Sequence, residues 1–157
     1  MSTRTEQRKQ EIANFLVSNQ AEQRELSCAE LGDVCRQWLQ RFAARVRHQE
    51  GSWILKGFKW HGFSYGIEPC LAGENALRSY QRTKGRFYLF DEDECFGFLC
   101  KTPFPFRPDF SKFREDLYLV GSDFSWTVVF THEQPEIGPF FAEPLRRANR
   151  RQPPPSP

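Results

Sequence analysis

Residues 117–141 read LYLVGSDFSWTVVFTHEQPEIGPFF, and the interpretation of this stretch decides the fold. Residues 117–120 and 125–132 are rich in β-branched and aromatic side chains, while Gly121, Ser122 and Asp123 between them carry turn chemistry, so the stretch predicts a β-hairpin. In its second strand Trp126, Val128, Phe130 and His132 fall on one face, and Thr127, Val129, Thr131 and Glu133 on the other, because strand side chains alternate with a period of two. Gly138-Pro139 then bends the chain ahead of the aromatic pair Phe140-Phe141.

Working outward, residues 86–90 and 94–100 predict a second hairpin, with the acidic Asp91-Glu92-Asp93 as its solvated turn. Residues 58–65 (FKWHGFSY) have strand composition, so that His61, Phe63 and Tyr65 share one face and Trp60, Gly62 and Ser64 the other; Gly57 and Gly62 mark bulges or close backbone approach. Residues 74–81 predict a short helix with Ala76, Leu77 and Tyr80 inward. Pro103, Pro105 and Pro108 remove three amide donors, which excludes a central strand over 102–109 and predicts an ordered surface loop with buried rings. Residues 111–116 add a helical turn.

The strongest helix begins at Ser27, where Glu30 lies at the spacing of a capping box. Leu31, Val34, Cys35, Trp38, Leu39, Phe42, Ala43 and Val46 follow at intervals of three and four, giving an amphipathic helix to about His48, with Gly51 beyond its end. Arg36, Gln37, Gln40, Arg41, Arg45 and Arg47 form its solvated face. Residues 1–26 read as a polar helical segment docking through Ile12, Phe15 and Leu16, residues 27–143 as a single α+β domain, and residues 144–157, which end in PPPSP, as a disordered Arg/Pro tail. The predicted architecture is α+β: a mostly antiparallel sheet of four to six strands with one long and one short helix packed on one face.

Composition sets further bounds. Sixteen Phe and an aromatic fraction of 15% supply core volume that the mean hydropathy of −0.65 would not suggest. No run of about 18 apolar residues and no apolar signal core occurs, so neither a membrane span nor export is supported and a cytoplasmic location is expected. The five cysteines contain no C-x-x-C pair, which points to reduced, mostly buried thiols rather than a disulfide framework or zinc ribbon. Arg146, Arg147, Arg150 and Arg151 stand in a tail without acids; taking these four charges from the formal +2 leaves the remainder at −2. That balance argues against a nucleic-acid face, leaving only a weak contact through the arginine tail.

Candidate chemistry centres on two histidines in aromatic surroundings. His61, Ser64, Tyr65, His132 and Glu133 comprise bases, hydroxyls and a carboxylate, the ingredients of acid–base or acyl-transfer catalysis, although strand parity sets Ser64 opposite His61 and Glu133 opposite His132. A metal held by His61, His132 and Cys70 or Glu133 lacks any diagnostic ligand spacing, and no phosphate-binding or dinucleotide loop is present, so neither metal nor cofactor is expected. Trp60, Trp126, Phe140 and Phe141 are the candidate anchors for a protein partner.

The motifs Trp60-His61-x-Phe63-Ser64-Tyr65, Pro69-Cys70-Leu71-x-Gly73-Glu74-x-Ala76, Asp123-Phe124-x-Trp126-Thr127, Thr131-His132-Glu133 and Gly138-Pro139-x-Phe141 together resemble a family of small bacterial proteins known as domain of unknown function 4275. The resemblance runs from about Ser27 to Phe141 and excludes the tail; the stretch between Phe104 and Phe110 is richer in Pro and Phe than the family implies. It implies a single cytosolic domain and supplies no catalytic residues. Two functions follow as expectations: a non-enzymatic protein-binding or regulatory domain of the immunity type, and, as the alternative, a hydrolase or transferase using His61 and His132.

Overall fold

A computed structural model of the protein describes residues 3–48, 57–103 and 105–144. The elements are α1 (Thr3–Ser18), β1 (Glu22–Glu25), α2 (Cys28–Phe42), α3 (Ala44–His48), α4 (His61–Ser64), β2 (Leu71–Ala72), α5 (Gly73–Gln81), β3 (Phe87–Asp91), β4 (Gly97–Lys101), a 3-10 turn (Ser111–Phe113), β5 (Leu117–Gly121), β6 (Thr127–Phe130) and β7 (Phe140–Ala142). Seven antiparallel strands form one sheet in the order β1-β4-β3-β5-β6-β7-β2, more than the expected four to six. The extra members are short edge pieces: β1 (EQRE) has no apolar alternation and β2 is two residues long, so neither leaves a periodic signal.

Both predicted hairpins are present, β3 with β4 and β5 with β6. Alternation along them divides the core between two faces. Phe87, Leu89, Leu117, Leu119, Val128 and Phe130 meet Ile12 and Leu16 of α1 and Ala76 and Tyr80 of α5, with Phe15 and Leu77 packed alongside. Phe90, Tyr118, Val120 and Val129 meet Leu31, Val34, Trp38 and Phe42 of α2. The long and short helices therefore cover opposite faces rather than one. A strand buried on both sides needs a cover on each, and α1 and α5 supply the second. Within residues 3–26, Ile12 and Leu16 of α1 fill core and β1 pairs with β4.

The capping box forms as read. Ser27 Oγ accepts from Glu30 N at 3.2 Å, and a Glu30 carboxylate oxygen accepts from Ser27 N at 2.8 Å. Arg24 clasps the same carboxylate, and these bonds hold Glu30 at a pKa of about 2. Trp38, 1% exposed, lies on the sheet with its Nε1 donating to Thr127 Oγ1 at 2.9 Å, which in turn donates to Leu119 O at 2.7 Å. The predicted 27–48 helix breaks at Ala43, where α3 begins. The loop after β4 carries a buried Arg107, whereas Phe106 is exposed. Gly51, Phe104 and the tail from residue 145 lie outside the described residues.

Candidate functional site

One end of the sheet is acidic. Register places the β3–β4 turn, the start of β5 and the end of β6 side by side, which gathers Asp91, Glu92, Asp93, Glu94, Asp116, Glu133 and Glu136 there. The turn is not the solvated loop expected. Asp91 is fully buried, and its Oδ1 accepts from Cys95 N at 2.8 Å and Phe96 N at 3.2 Å. Only Asp93 and Glu94 of the acidic run are exposed.

Glu92 fastens the next segment to the sheet. Its Oε1 accepts from Lys59 N at 3.0 Å and Lys59 Nζ at 3.3 Å, while Lys59 Nζ also donates to Glu92 O at 2.6 Å. Tyr118 Oη donates to Glu92 Oε2 and accepts from Trp60 N at 3.0 Å. The Tyr118 ring stacks on Phe90 at 5.1 Å and meets Trp38 edge-on at 5.0 Å, so its hydroxyl is fixed by packing. Desolvation raises the Glu92 pKa, and burial beside Glu92 pushes the Tyr118 phenol far up, keeping it a donor.

This latch explains why residues 58–65 are not a strand. Their backbone bonds are local: Ser64 N donates to Trp60 O at 3.2 Å and Tyr65 N to His61 O at 3.0 Å, closing α4. Gly62 permits the close approach of α3, because a Cβ there would stand 3.0 Å from Val46 Cγ2. Buried Glu68 ties the two together by accepting from Arg45 N at 2.7 Å and Val46 N at 3.1 Å. Aromatic content gave a strand signal, but tertiary packing decided otherwise.

On this mount the two histidines come together around the same pair of rings. Phe58 and Trp60 stack at 5.6 Å; His61 lies 5.4 Å from Phe58 and 4.4 Å from Trp60, and His132 lies 4.9 Å and 6.1 Å from them. Tyr65 extends the group at 5.1 Å from His61. His132 follows β6 in a turn, so the alternation that was to put it beside Trp126 ends first. Trp126 packs in the α1/α5 face, whereas His132 contacts rings of the α2 face. The expectation that they share a side is therefore corrected.

His132 is also held by a carboxylate. Its Nδ1 lies 2.9 and 2.8 Å from the two oxygens of buried Asp116, and its backbone N donates to Asp116 Oδ1 at 2.9 Å. This arrangement favours a proton on Nδ1 and leaves Nε2 as the acceptor, 3.7 Å from Glu133 Oε1. The chemistry available is that of an oriented imidazole, usable as a base or a hydrogen-bond acceptor.

The other sequence candidates separate. Ser64 is exposed and its Oγ donates to His61 O at 3.4 Å, so it forms no nucleophile–base pair with an imidazole. Cys70 Sγ faces Phe63 O at 4.0 Å, and no group of three or more His, Cys, Asp or Glu among the described residues is arranged to hold a metal. Cys35 and Cys100 are buried thiols pushed up to about 12 by desolvation, whereas Cys28 and Cys95 are exposed. Trp60, Trp126, Phe140 and Phe141 are all core side chains, between 1% and 6% exposed, so the rings chosen as anchors are covered. Around the two histidines, the exposed Phe and Tyr rings are Phe58 and Tyr65, at 36% and 57%. Sequence reading also missed Asp116, Glu92 and Tyr118; the only available signal was their lying at strand ends beside turns. Among the described residues, a cleft of about 510 Å³ lies between α5, Lys112 and Pro135, away from both imidazoles.

These features define an α+β domain whose single antiparallel sheet carries an aromatic and imidazole group at an acidic end. The chain belongs to the family described as a domain of unknown function, DUF4275, whose profile matches residues 11–141. That match begins inside α1, in keeping with the part Ile12 and Leu16 play in the core. No curated protein and no solved structure matches the chain. No described helix is long and apolar enough to cross a membrane.

Proposed function

We propose that the protein is a non-catalytic binding domain that engages a basic surface of a protein partner through Phe58, His61 and Tyr65, with His132 and Glu133 at the edge. The observation that carries this reading is the exposure of Phe58 and Tyr65 on a segment latched to the sheet by Lys59, Glu92 and Tyr118. Rings held in place lose little conformational freedom on association, which makes them effective anchors. Exposed Asp93, Glu94, Glu133 and Glu136 belong to the same end, so the complementary partner is cationic. The test is capture from lysate of the source cells on immobilised wild type and on the Phe58→Ser/Tyr65→Ser variant. A basic protein retained stoichiometrically by wild type, released by high salt and not retained by the variant supports the reading. No stoichiometric partner, or equal retention by both, overturns it.

A second reading, hydrolysis or group transfer using His61 and His132, draws support from the Asp116 contact, which orients the His132 ring as a catalytic base requires. It is the weaker reading because Ser64 bonds His61 O rather than an imidazole nitrogen. A turnover activity abolished by His132→Gln in a folded protein would reverse that ranking.

A further inference from the structure

The opposite end of the sheet holds a cation in an unusual setting. Residues 82–90 and 97–108 contain Arg82, Lys84, Arg86, Lys101 and Arg107 and no acid. Arg107 is 7% exposed and makes no ion pair among the described residues. Its guanidinium is held by neutral acceptors: Nε donates to Thr83 Oγ1 at 3.1 Å, one terminal nitrogen to Thr102 Oγ1 at 3.0 Å, and the other to Gly85 O at 2.9 Å. The rings of Phe87 and Trp126 lie 5.1 and 5.7 Å from its central carbon.

A guanidinium has five N–H bonds, so two, one on each terminal nitrogen, are left without an acceptor among the described residues. Buried charge is costly unless it is paired, and the aromatic faces offset only part of that cost. Desolvation pushes the Arg107 pKa down, consistent with a missing counter-charge. Against the guanidinium lies a cavity of about 20 Å³ lined by Thr83, Lys84, Gly85, Thr102 and Arg107 among others. That volume admits one water or one small ion.

We propose that this cavity is a binding site for a single small monovalent anion of the halide type, which completes the coordination of Arg107 and ties the β4–β5 loop to the turn before β3. The anion supplies the negative charge that the two remaining Arg107 N–H bonds lack among the described residues. Both flanking hydroxyls are committed as donors to backbone carbonyls, Thr83 to Tyr80 O and Thr102 to Phe106 O, so the donor capacity offered to the anion is that of Arg107. The volume of about 20 Å³ suits an ion of halide size.

The test uses the full chain and sodium bromide. Crystals soaked in bromide should show an anomalous peak within hydrogen-bonding distance of the Arg107 terminal nitrogens. Thermal midpoints measured at constant ionic strength should rise saturably as bromide or chloride replaces gluconate, and Arg107→Gln should lose that difference while retaining the general salt response. If Arg107→Gln fails to fold, the anomalous peak and the anion dependence of wild type decide alone. A water in the cavity with no anomalous signal, or identical midpoints in bromide and gluconate, overturns the proposal.

Discussion

Replacing Tyr118 with Phe tests the latch that positions the candidate site. The substitution removes one oxygen and leaves the ring its stack on Phe90 and its edge contact with Trp38, so the packing change is small. The oxygen, however, serves two buried groups. Trp60 N–H, in a residue 1% exposed, loses its acceptor, and an orphaned buried donor costs about 1–3 kcal/mol. Glu92 loses one donor while keeping Lys59 N and Nζ, a charge-assisted bond of about 1.5–3 kcal/mol that those remaining partners offset in part. The expected loss is about 3 kcal/mol, read as a lower urea midpoint at unchanged slope, or as a thermal midpoint roughly 6–12 °C lower. Tyr88→Phe, on the same sheet face and half-buried, is the control and should stay within about 0.5 kcal/mol. Amide exchange at Lys59 and Trp60 should quicken selectively. If Tyr118→Phe matches Tyr88→Phe in stability, the latch reasoning is wrong.

Three further outcomes are expected. Trp38→Ala should cost about 3–5 kcal/mol by denaturant unfolding, because it empties the α2–sheet interface and removes the donor to Thr127 Oγ1; a loss under 1 kcal/mol would contradict that packing. Ser27→Ala should cost about 1 kcal/mol and Ser27→Gly only a few tenths, measured the same way. Burial raises the carboxyl pKa of Glu68, Asp91 and Glu92 in the folded state, so each binds its proton more tightly there than when unfolded. Their contribution is most favourable below the ordinary carboxylate range and is lost as pH rises through the folded values, opposite in sign to Glu30, whose contribution is lost as pH falls through about 2. Glu92→Gln should therefore flatten the fall in stability on the upper side of the carboxylate range, and an unchanged stability–pH profile would count against the assignment.

The fold was legible wherever period and chemistry agreed. The β5–β6 hairpin, the β3–β4 hairpin and the capped α2 each had alternation or three-four spacing backed by a turn or cap residue, and each is present. What went unread lacked such agreement. β1 is four polar residues whose only reason to be extended is the free edge of β4, and β2 exists because Leu71 and Ala72 meet Phe141 and Phe140. Residues 58–65 show the converse error, since their aromatic content suits a strand while their partners, Glu92, Tyr118 and Val46, come from three distant elements. No local pattern encodes such partners.

The same division accounts for the site. The sequence singled out His61 and His132, and the fold does bring them to one pair of rings, but for reasons invisible in strand parity: a helical turn at one and a departure from β6 at the other. Composition cannot distinguish an anchor from core, so Trp60 and Phe140 looked suited to binding when they stack on each other inside the domain. The exposed member, Phe58, rests on Trp60, and Trp60 is fixed by Tyr118. Exposure at the surface thus depends on a hydrogen bond made in the core. A substitution at Tyr118 should therefore weaken partner capture without touching any exposed residue, which separates a latched surface from a merely hydrophobic one.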